Sequence, residues 1–375
     1  MGSKQFVLFV LMMSFGAVDA VAAPPEIEVS NQRLAEQIDV YMQDYSDFSG
    51  AVLIAKASEV VFSKGYGYAN EDLGVLNTPQ TEFRIASLTK PFTAMAIMQL
   101  QERSFLSVQD PLSKYIPDFP DGNKITIHHL LTHSSGVQNY YQHFSDVCHC
   151  TSINELVTAF KHWPLDFEPG CQFRYSNSGY VLLAYIIETV SGKKYGNFLQ
   201  ENIFDPLKLN DSGQDSSESV LKDHAIGYVK INHALQKVPP IHAPITLVGN
   251  GDLYSSVQDL YKWDQALAAG GIVSKKSLEE IFIPHVLMEG SLIRGHGYGW
   301  FVDERLGKRV IEYSGALRGF LSKYIKFIDD QITIILLTNV EIGDPEQFAK
   351  IYEGLTEICS SSTGRNIKDQ KLKKK

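Results

Sequence analysis

Basic charge, long apolar runs and cysteine are all scarce in this 375-residue chain, and each scarcity excludes a class of function. Lys and Arg number 34 against 43 Asp and Glu, for a formal net charge of −9. The signs are interspersed, so no broad basic surface forms for a phosphate backbone, and nucleic acid is excluded as a partner. The one basic cluster runs from Lys368 through Lys371 to Lys375, beyond a Ser/Thr/Gly-rich break at Ser360 to Gly364. Residues 360–375 are therefore expected to be a solvated, disordered tail. After the first residues no stretch approaches the ~20 apolar residues that a membrane-crossing helix needs. The start itself has the three parts of an export signal: Lys4, an apolar run from Phe6 to Val18, and small residues at Ala20, Ala22 and Ala23. Residues 1–22 are expected to be removed, leaving a periplasmic or secreted protein without stable membrane insertion.

Only four cysteines occur, Cys148, Cys150, Cys171 and Cys359. Export would place them where disulfides persist, and a bridge from Cys171 to Cys148 or Cys150 is expected. Cys148 and Cys150 flank His149, with His143 nearby, but the spacing falls short of a zinc pattern. His129 and His133 share a helical face, yet Leu130 stands where the metalloprotease spacing needs a glutamate, so His128, His129 and His133 read as structural residues at a helix end. Gly-x-Ser-x-Gly and the phosphate-cradling loop are absent, which argues against an α/β-hydrolase nucleophile and a nucleotide site. No metal or organic cofactor is expected.

What is present is a change of period along the chain. Ser49 to Lys56 and Glu59 to Gly67 are β-rich runs around Ala57-Ser58 and read as a hairpin. Four more strands follow far downstream, over Tyr298 to Asp303, Arg309 to Ser314, Phe320 to Ile328 and Gln331 to Asn339. Between them the helical period dominates, over Pro91 to Glu102, Ile127 to Leu131, Ile153 to Phe160, Gly179 to Val190 and Val257 to Ala268. Pro345 to Ile358 reads as a closing helix. These elements define an α+β fold: an antiparallel sheet built from both chain ends, with flanking helices and an inserted, mainly helical lobe. On the helix from Val257, Asp259 and Asp264 are expected to face water while Leu260, Trp263 and Leu267 point inward.

Chemistry concentrates at Phe83-Arg84-Ile85-Ala86-Ser87-Leu88-Thr89-Lys90, which leads into a helix with almost no polar face. Such a helix is buried, and a serine at its first turn meets free backbone N–H groups and the positive end of the helix dipole. Lys90, three residues on, shares the face of Ser87; in a dry setting its ammonium gives up a proton more easily and can serve as base. Ser-x-x-Lys recurs at Ser191–Lys194, beside Gly192 at a helix end, and at Ser219–Lys222, in a polar stretch, so context selects Ser87. Tyr175-Ser176-Asn177 lies between the turn Glu168-Pro169-Gly170 and a helix, where a phenol can relay a proton and an amide can hold a carbonyl.

With RIASLTK at 84–90, ITIHHLLTHSSGV at 125–137, YSNSGYVLLAYIIE at 175–188 and GDLYSSVQDLYKWDQAL at 251–267, the chain resembles the serine β-lactamase and penicillin-binding-protein superfamily, in its class C-related branch. The resemblance implies a single catalytic domain over residues 24–359, with a sheet lobe at about 24–80 and 245–359 and a helical lobe at about 81–244. It also implies an acyl-enzyme formed by Ser87 on an amide, β-lactam or ester carbonyl, with Lys90 and Tyr175 exchanging protons. Small molecules or peptidoglycan-like peptides would be the substrates, as for D-Ala-D-Ala carboxypeptidases and esterases of this type. Asn177 and a strand triplet would bind substrate, and the backbone N–H groups of Ser87 and Ala316 would form the oxyanion hole. In that triplet, Tyr313-Ser314-Gly315, tyrosine replaces the usual Lys or His and brings no cation at neutral pH. Either the enzyme prefers substrates without a carboxylate there, or Arg318 supplies the charge; weak β-lactam turnover is expected in both cases. A different class is also open: a penicillin-binding or regulatory protein that keeps the fold with little turnover.

Overall fold

The computed structural model describes residues 25–215, 224–232, 234–239, 244–288, 295–305, 307–341 and 345–361. The expected export signal, the basic cluster from Lys368 and the Ser219–Lys222 copy lie outside them. In chain order the elements used below are α1 (Pro25–Gln43), β1 (Gly50–Lys56), β2 (Glu59–Tyr66), α2 (Lys90–Glu102), α3 (Ile127–Leu131), α4 (Ile153–Phe160), α5 (Asn177–Ser191) and α6 (Val257–Ala269). They continue with β3 (Val286–Leu287), β4 (Gly295–His296), β5 (Phe301–Arg305), β6 (Lys308–Leu317), β7 (Phe320–Phe327), β8 (Ile332–Thr338) and α7 (Pro345–Ser361).

One antiparallel sheet organises the chain, in the order β3-β4-β5-β6-β7-β8-β1-β2. β8 pairs with β1 from Gly50↔Thr338 to Lys56↔Ile332, which joins the two ends of the sequence. The β1–β2 hairpin turns through Ala57 and Ser58, at φ +49° and +66°, the left-handed geometry whose twist suits a two-residue hairpin. All seven residues of β8 are buried because both sheet faces are covered, which explains why ITIILLT shows no polar alternation. On one face Val52, Ile54, Ile334 and Leu336 pack under Leu34, Ile38 and Met42 of α1 and Ile351 and Leu355 of α7. On the other, Ala51, Leu53, Ile335 and Leu337 share a core with α6 and the helical lobe. Helix α1 was not legible in the sequence: its inward residues recur only every fourth position within a polar run. Helix α7 extends to Ser361, two residues into the segment assigned above to the tail, and the Ser361 hydroxyl donates to the Glu357 carbonyl at 2.8 Å.

Two expectations are corrected here. Asp259 and Asp264 of α6 do not face water; both are fully buried. Asp259 accepts from Lys262 Nζ at 2.7 Å and from Ser212 Oγ at 3.0 Å, and Asp264 from Tyr324 Oη and from Lys326 Nζ at 2.6 Å. α6 lies between the sheet and the helical lobe, so its polar side is also inside, and these carboxylates persist there because each is paired. The Cys171 bridge is not formed either. Cys148, Cys150 and Cys171 are free thiols; Cys150 packs into the core whereas Cys148 and Cys171 are exposed.

Helix α2 supplies the floor of the helical lobe, with every residue from Lys90 to Leu100 buried. Phe92 stacks on Trp263 of α6 at 4.1 Å between centroids, and Trp263 on Trp300 at 5.5 Å. This aromatic column ties the lobe to the sheet, and contacts of that geometry add ~0.5–1.5 kcal/mol each beyond area burial. The start of α2 is thereby fixed against the edge of β6, where the site lies.

Candidate active site

Strand Phe83–Arg84 pairs with Leu253–Ser255, and Ile85 N donates to Leu253 O at 3.0 Å. The chain then bends through a 3-10 turn, Ala86–Thr89, into α2. Ser87 sits on that turn, just before α2 rather than within it, and is half-buried and open to solvent. The bend forces Ala86 to φ +49°, a left-handed conformation that costs a non-glycine residue ~1–3 kcal/mol and is held only by its surroundings. Those surroundings include Ser322 Oγ, which donates to Ile85 O at 2.7 Å.

The Lys90 side chain is fully buried. Its Nζ lies 3.3 Å from Ser87 Oγ and donates to Asn250 O at 2.8 Å. Burial lowers its pKa well below the usual lysine range, and buried Asp252 opposes this in part; desolvation wins because the amine has no ion-pair geometry with that carboxylate. Asp252 is itself pushed up to about 7 by burial.

Tyr175 Oη donates to Ser87 Oγ at 3.0 Å. Its backbone is held on both sides by His133: Arg174 N donates to His133 O at 2.9 Å, and Ser176 N to His133 Nδ1 at 3.1 Å. Ser176 caps α5 by accepting from Gly179 N at 3.3 Å, so Tyr175 leaves the loop as the helix begins. Burial raises the Tyr175 phenol to about 12, against the pull of the Ser87 and Tyr313 hydroxyls. Asn177 opens α5 and is buried, with Oδ1 unpaired among the described residues.

β6 closes the other side. A Cβ on Gly315 would lie 2.1 Å from Ile85 O, 2.4 Å from Ser322 Oγ and 3.0 Å from Ser87 N, so the strand backbone runs directly against the serine turn, with Ala316 next along it. Tyr313 shares the face of Gly315, is 1% exposed, and points at Tyr175 rather than into solvent. Ser314, the middle of the triplet expected to bind substrate, presents its backbone to this side and its side chain elsewhere. Alternation along the strand turns it to the opposite face, where Oγ accepts from Lys323 Nζ at 3.0 Å, beneath Tyr352 of α7. Arg318 is exposed in the two-residue turn to β7.

Sequence reasoning missed three residues: His133, His296 and Asp252. His133, read as a helix-end residue, is 1% exposed and lies 4.5 Å from the Tyr175 ring. His296 on β4 is fully buried 4.8 Å from His133. No local pattern marks either, because only the tertiary fold brings them behind Tyr175. His129, by contrast, forms the expected helix-end contact, a capping box with Thr126. The Ser191 copy is likewise structural: its hydroxyl donates to Ile187 O at 2.6 Å at the end of α5. Among the described residues no His/Cys/Asp/Glu group could hold a metal ion.

The fold and this Ser-Lys-Tyr arrangement define a class of serine hydrolases. Residues 34–356 match the β-lactamase family, and the chain belongs to it. A penicillin-binding protein of Bacillus subtilis is 34% identical over 311 residues, covering 78% of this chain and 68% of its own. The teichoic acid D-alanine hydrolase of Staphylococcus aureus is 28% identical, covering 88% and 80%. Among solved structures, an octameric penicillin-binding protein homologue from Pyrococcus abyssi superposes with a TM-score of 0.76 at 31% identity, covering 89% of this chain and 77% of that one. The chain is accordingly a serine hydrolase acting on amide or ester bonds, with the β-lactamase/transpeptidase α+β fold.

Proposed function

We propose that Ser87 is the nucleophile of an acyl-enzyme mechanism on an amide, β-lactam or ester carbonyl, with Lys90 as its base and Tyr175 as the acid for the leaving group. The observation that carries this is convergence: the Lys90 amine and the Tyr175 phenol reach one hydroxyl oxygen, at 3.3 and 3.0 Å. The two pKa directions divide the roles. A buried lysine with a lowered pKa is available as a neutral amine, whereas a phenol near 12 keeps its proton at neutral pH and can give it away.

Lys90 takes the Ser87 proton as Oγ attacks the carbonyl carbon, and the oxyanion forms between Ser87 N–H and the backbone at Ala316. As the intermediate collapses, Tyr175 protonates the departing amine or alcohol and regains a proton from Lys90. Water then attacks the acyl group with proton transfer to Lys90, and Ser87 leaves as Lys90 returns that proton to Oγ. Asn177, at the start of α5, is assigned to hold the substrate's carbonyl through its amide N–H. Tyr313 brings no cation for a substrate carboxylate, which supports weak β-lactam turnover; Arg318, exposed in the turn after β6, is the alternative source of that charge.

The relatives' names, penicillin binding and teichoic acid D-alanine hydrolysis, support D-alanyl esters or peptidoglycan-like peptides as substrates outside the cytoplasm. The expected signal at residues 1–22 supports export, to the periplasm or beyond, and no described helix is long and apolar enough to cross a membrane. A second reading, a penicillin-binding protein of low turnover, is favoured by Tyr313 alone. Purified protein and Ser87→Ala are to be compared on a chromogenic ester and a fluorescent penicillin. Ester turnover lost in the variant is expected; a stable penicillin adduct without turnover supports the second reading, and turnover that survives the substitution ends the assignment of Ser87.

A further inference from the structure

Beside Tyr175, four buried polar atoms make no hydrogen bond of ordinary geometry among the described residues: His133 Nε2, both ring nitrogens of His296, which lie near the Gly297 backbone, and Tyr313 Oη, which lies near the Tyr175 hydroxyl. They belong to residues 1%, 0% and 1% exposed, and they come from three elements, the loop after α3, β4 and β6. The rings follow one another without interruption: Tyr175 to His133 at 4.5 Å, His133 to His296 at 4.8 Å, His296 to Tyr313 at 6.3 Å. Phe173 and Phe301 seal the group, at 5.6 and 5.0 Å from His296. Nothing in core packing alone calls for two imidazoles and a phenol here, since a buried polar atom costs free energy unless it is paired.

The protonation state follows from the contacts. Burial holds both imidazoles far below their usual range, His296 at about 3, so both are neutral. His133 Nδ1 accepts from Ser176 N, which puts the ring proton on Nε2 and makes that atom a donor. Tyr313 keeps its proton and lies near enough to pull the Tyr175 pKa down. The cluster thus offers uncharged donors and acceptors that one or two ordered waters would satisfy, each water taking the two to four polar partners usual for a buried water. The other groups facing Tyr175 are Ser87 and Lys90 from the serine turn and α2, Tyr180 from α5, and Tyr141.

We propose that His133, His296 and Tyr313 are positioning residues for Tyr175, joined by ordered water into an uncharged hydrogen-bond relay that aims the phenol at the leaving group. The inference rests on the assignment of Tyr175 as the acid. Its consequence is selective: a badly aimed acid hurts substrates whose leaving group needs a proton and spares those whose leaving group departs as an anion.

The test compares Tyr313→Phe, His296→Phe and His296→Gln with wild type on an alkyl ester and a nitrophenyl ester of the same acid. Each phenylalanine variant is expected to lose at least about tenfold in kcat on the alkyl ester and less than about threefold on the nitrophenyl ester, with KM little changed. His296→Gln, which restores a donor and an acceptor, is expected to recover most of the loss. Equal losses on both esters, or none on either, overturn the proposal. A high-resolution crystal structure of the wild type, independent of any variant's folding, gives a second reading: water bonded to His296 and Tyr313 supports the relay, and a dry pocket overturns it. Failure of Tyr175→Phe to discriminate between the two esters would instead refute the acid assignment beneath it.

Discussion

Replacing Gly315 with alanine tests how the strand and the serine turn meet. The added Cβ would fall 2.1 Å from Ile85 O and 2.4 Å from Ser322 Oγ. Comfortable non-bonded contact begins near ~3.5 Å, so β6 must retreat by roughly 1.4 Å, or the turn must yield. The Ser322 hydroxyl can rotate away, but Ile85 O cannot, because its own residue is tied through N–H to Leu253 O at 3.0 Å. A displacement of that size at the oxyanion site is expected to cost ~10²–10³ in kcat, with ~1–3 kcal/mol of stability from overpacking. Ester kinetics and a denaturation curve measure both. Ser322→Ala added to Gly315→Ala removes only the softer of the two clashes, so it should not restore turnover. The reasoning fails if Gly315→Ala, folded as wild type, keeps about half or more of its kcat, or if the double variant is fully rescued.

Two further predictions follow from buried carboxylates. Asp252 has a folded pKa raised to about 7 from 3.8, so its contribution to stability is complete below pH ~4 and is lost as pH rises through 7. Asp252→Asn should therefore gain stability relative to wild type on going from pH 4 to pH 8, by up to a few kcal/mol at ~1.4 kcal/mol per pKa unit, seen as a rising Tm difference; parallel Tm profiles would contradict this. Asp264→Ala strips the partner from Tyr324, fully buried, and from Lys326, 12% exposed, and should cost ~3–5 kcal/mol in urea unfolding without changing the kcat of the folded fraction. A loss below ~1 kcal/mol would show that the pair is not held as described.

The sequence by itself determined the sheet and the serine. Alternating and continuous β runs at both ends, with turn residues between them, leave few ways to satisfy backbone hydrogen bonds other than one antiparallel sheet, and an apolar helix such as α2 has to be buried wherever it occurs. Ser87, Lys90 and Tyr175 were legible because each stands in a local context, a helix start or a turn before a helix, that dictates its exposure. The tertiary structure alone decided which polar groups are inside. Asp264 reads as solvent-facing on an amphipathic helix, and it is buried because α6 is covered on its polar side by Lys326 and Tyr324 of β7, more than fifty residues away in sequence. His133 and His296 read as unremarkable for the same reason: the environment that neutralises them comes from β4, β6 and the loop before α5, and burial and dielectric belong to the packed assembly, not to any one segment.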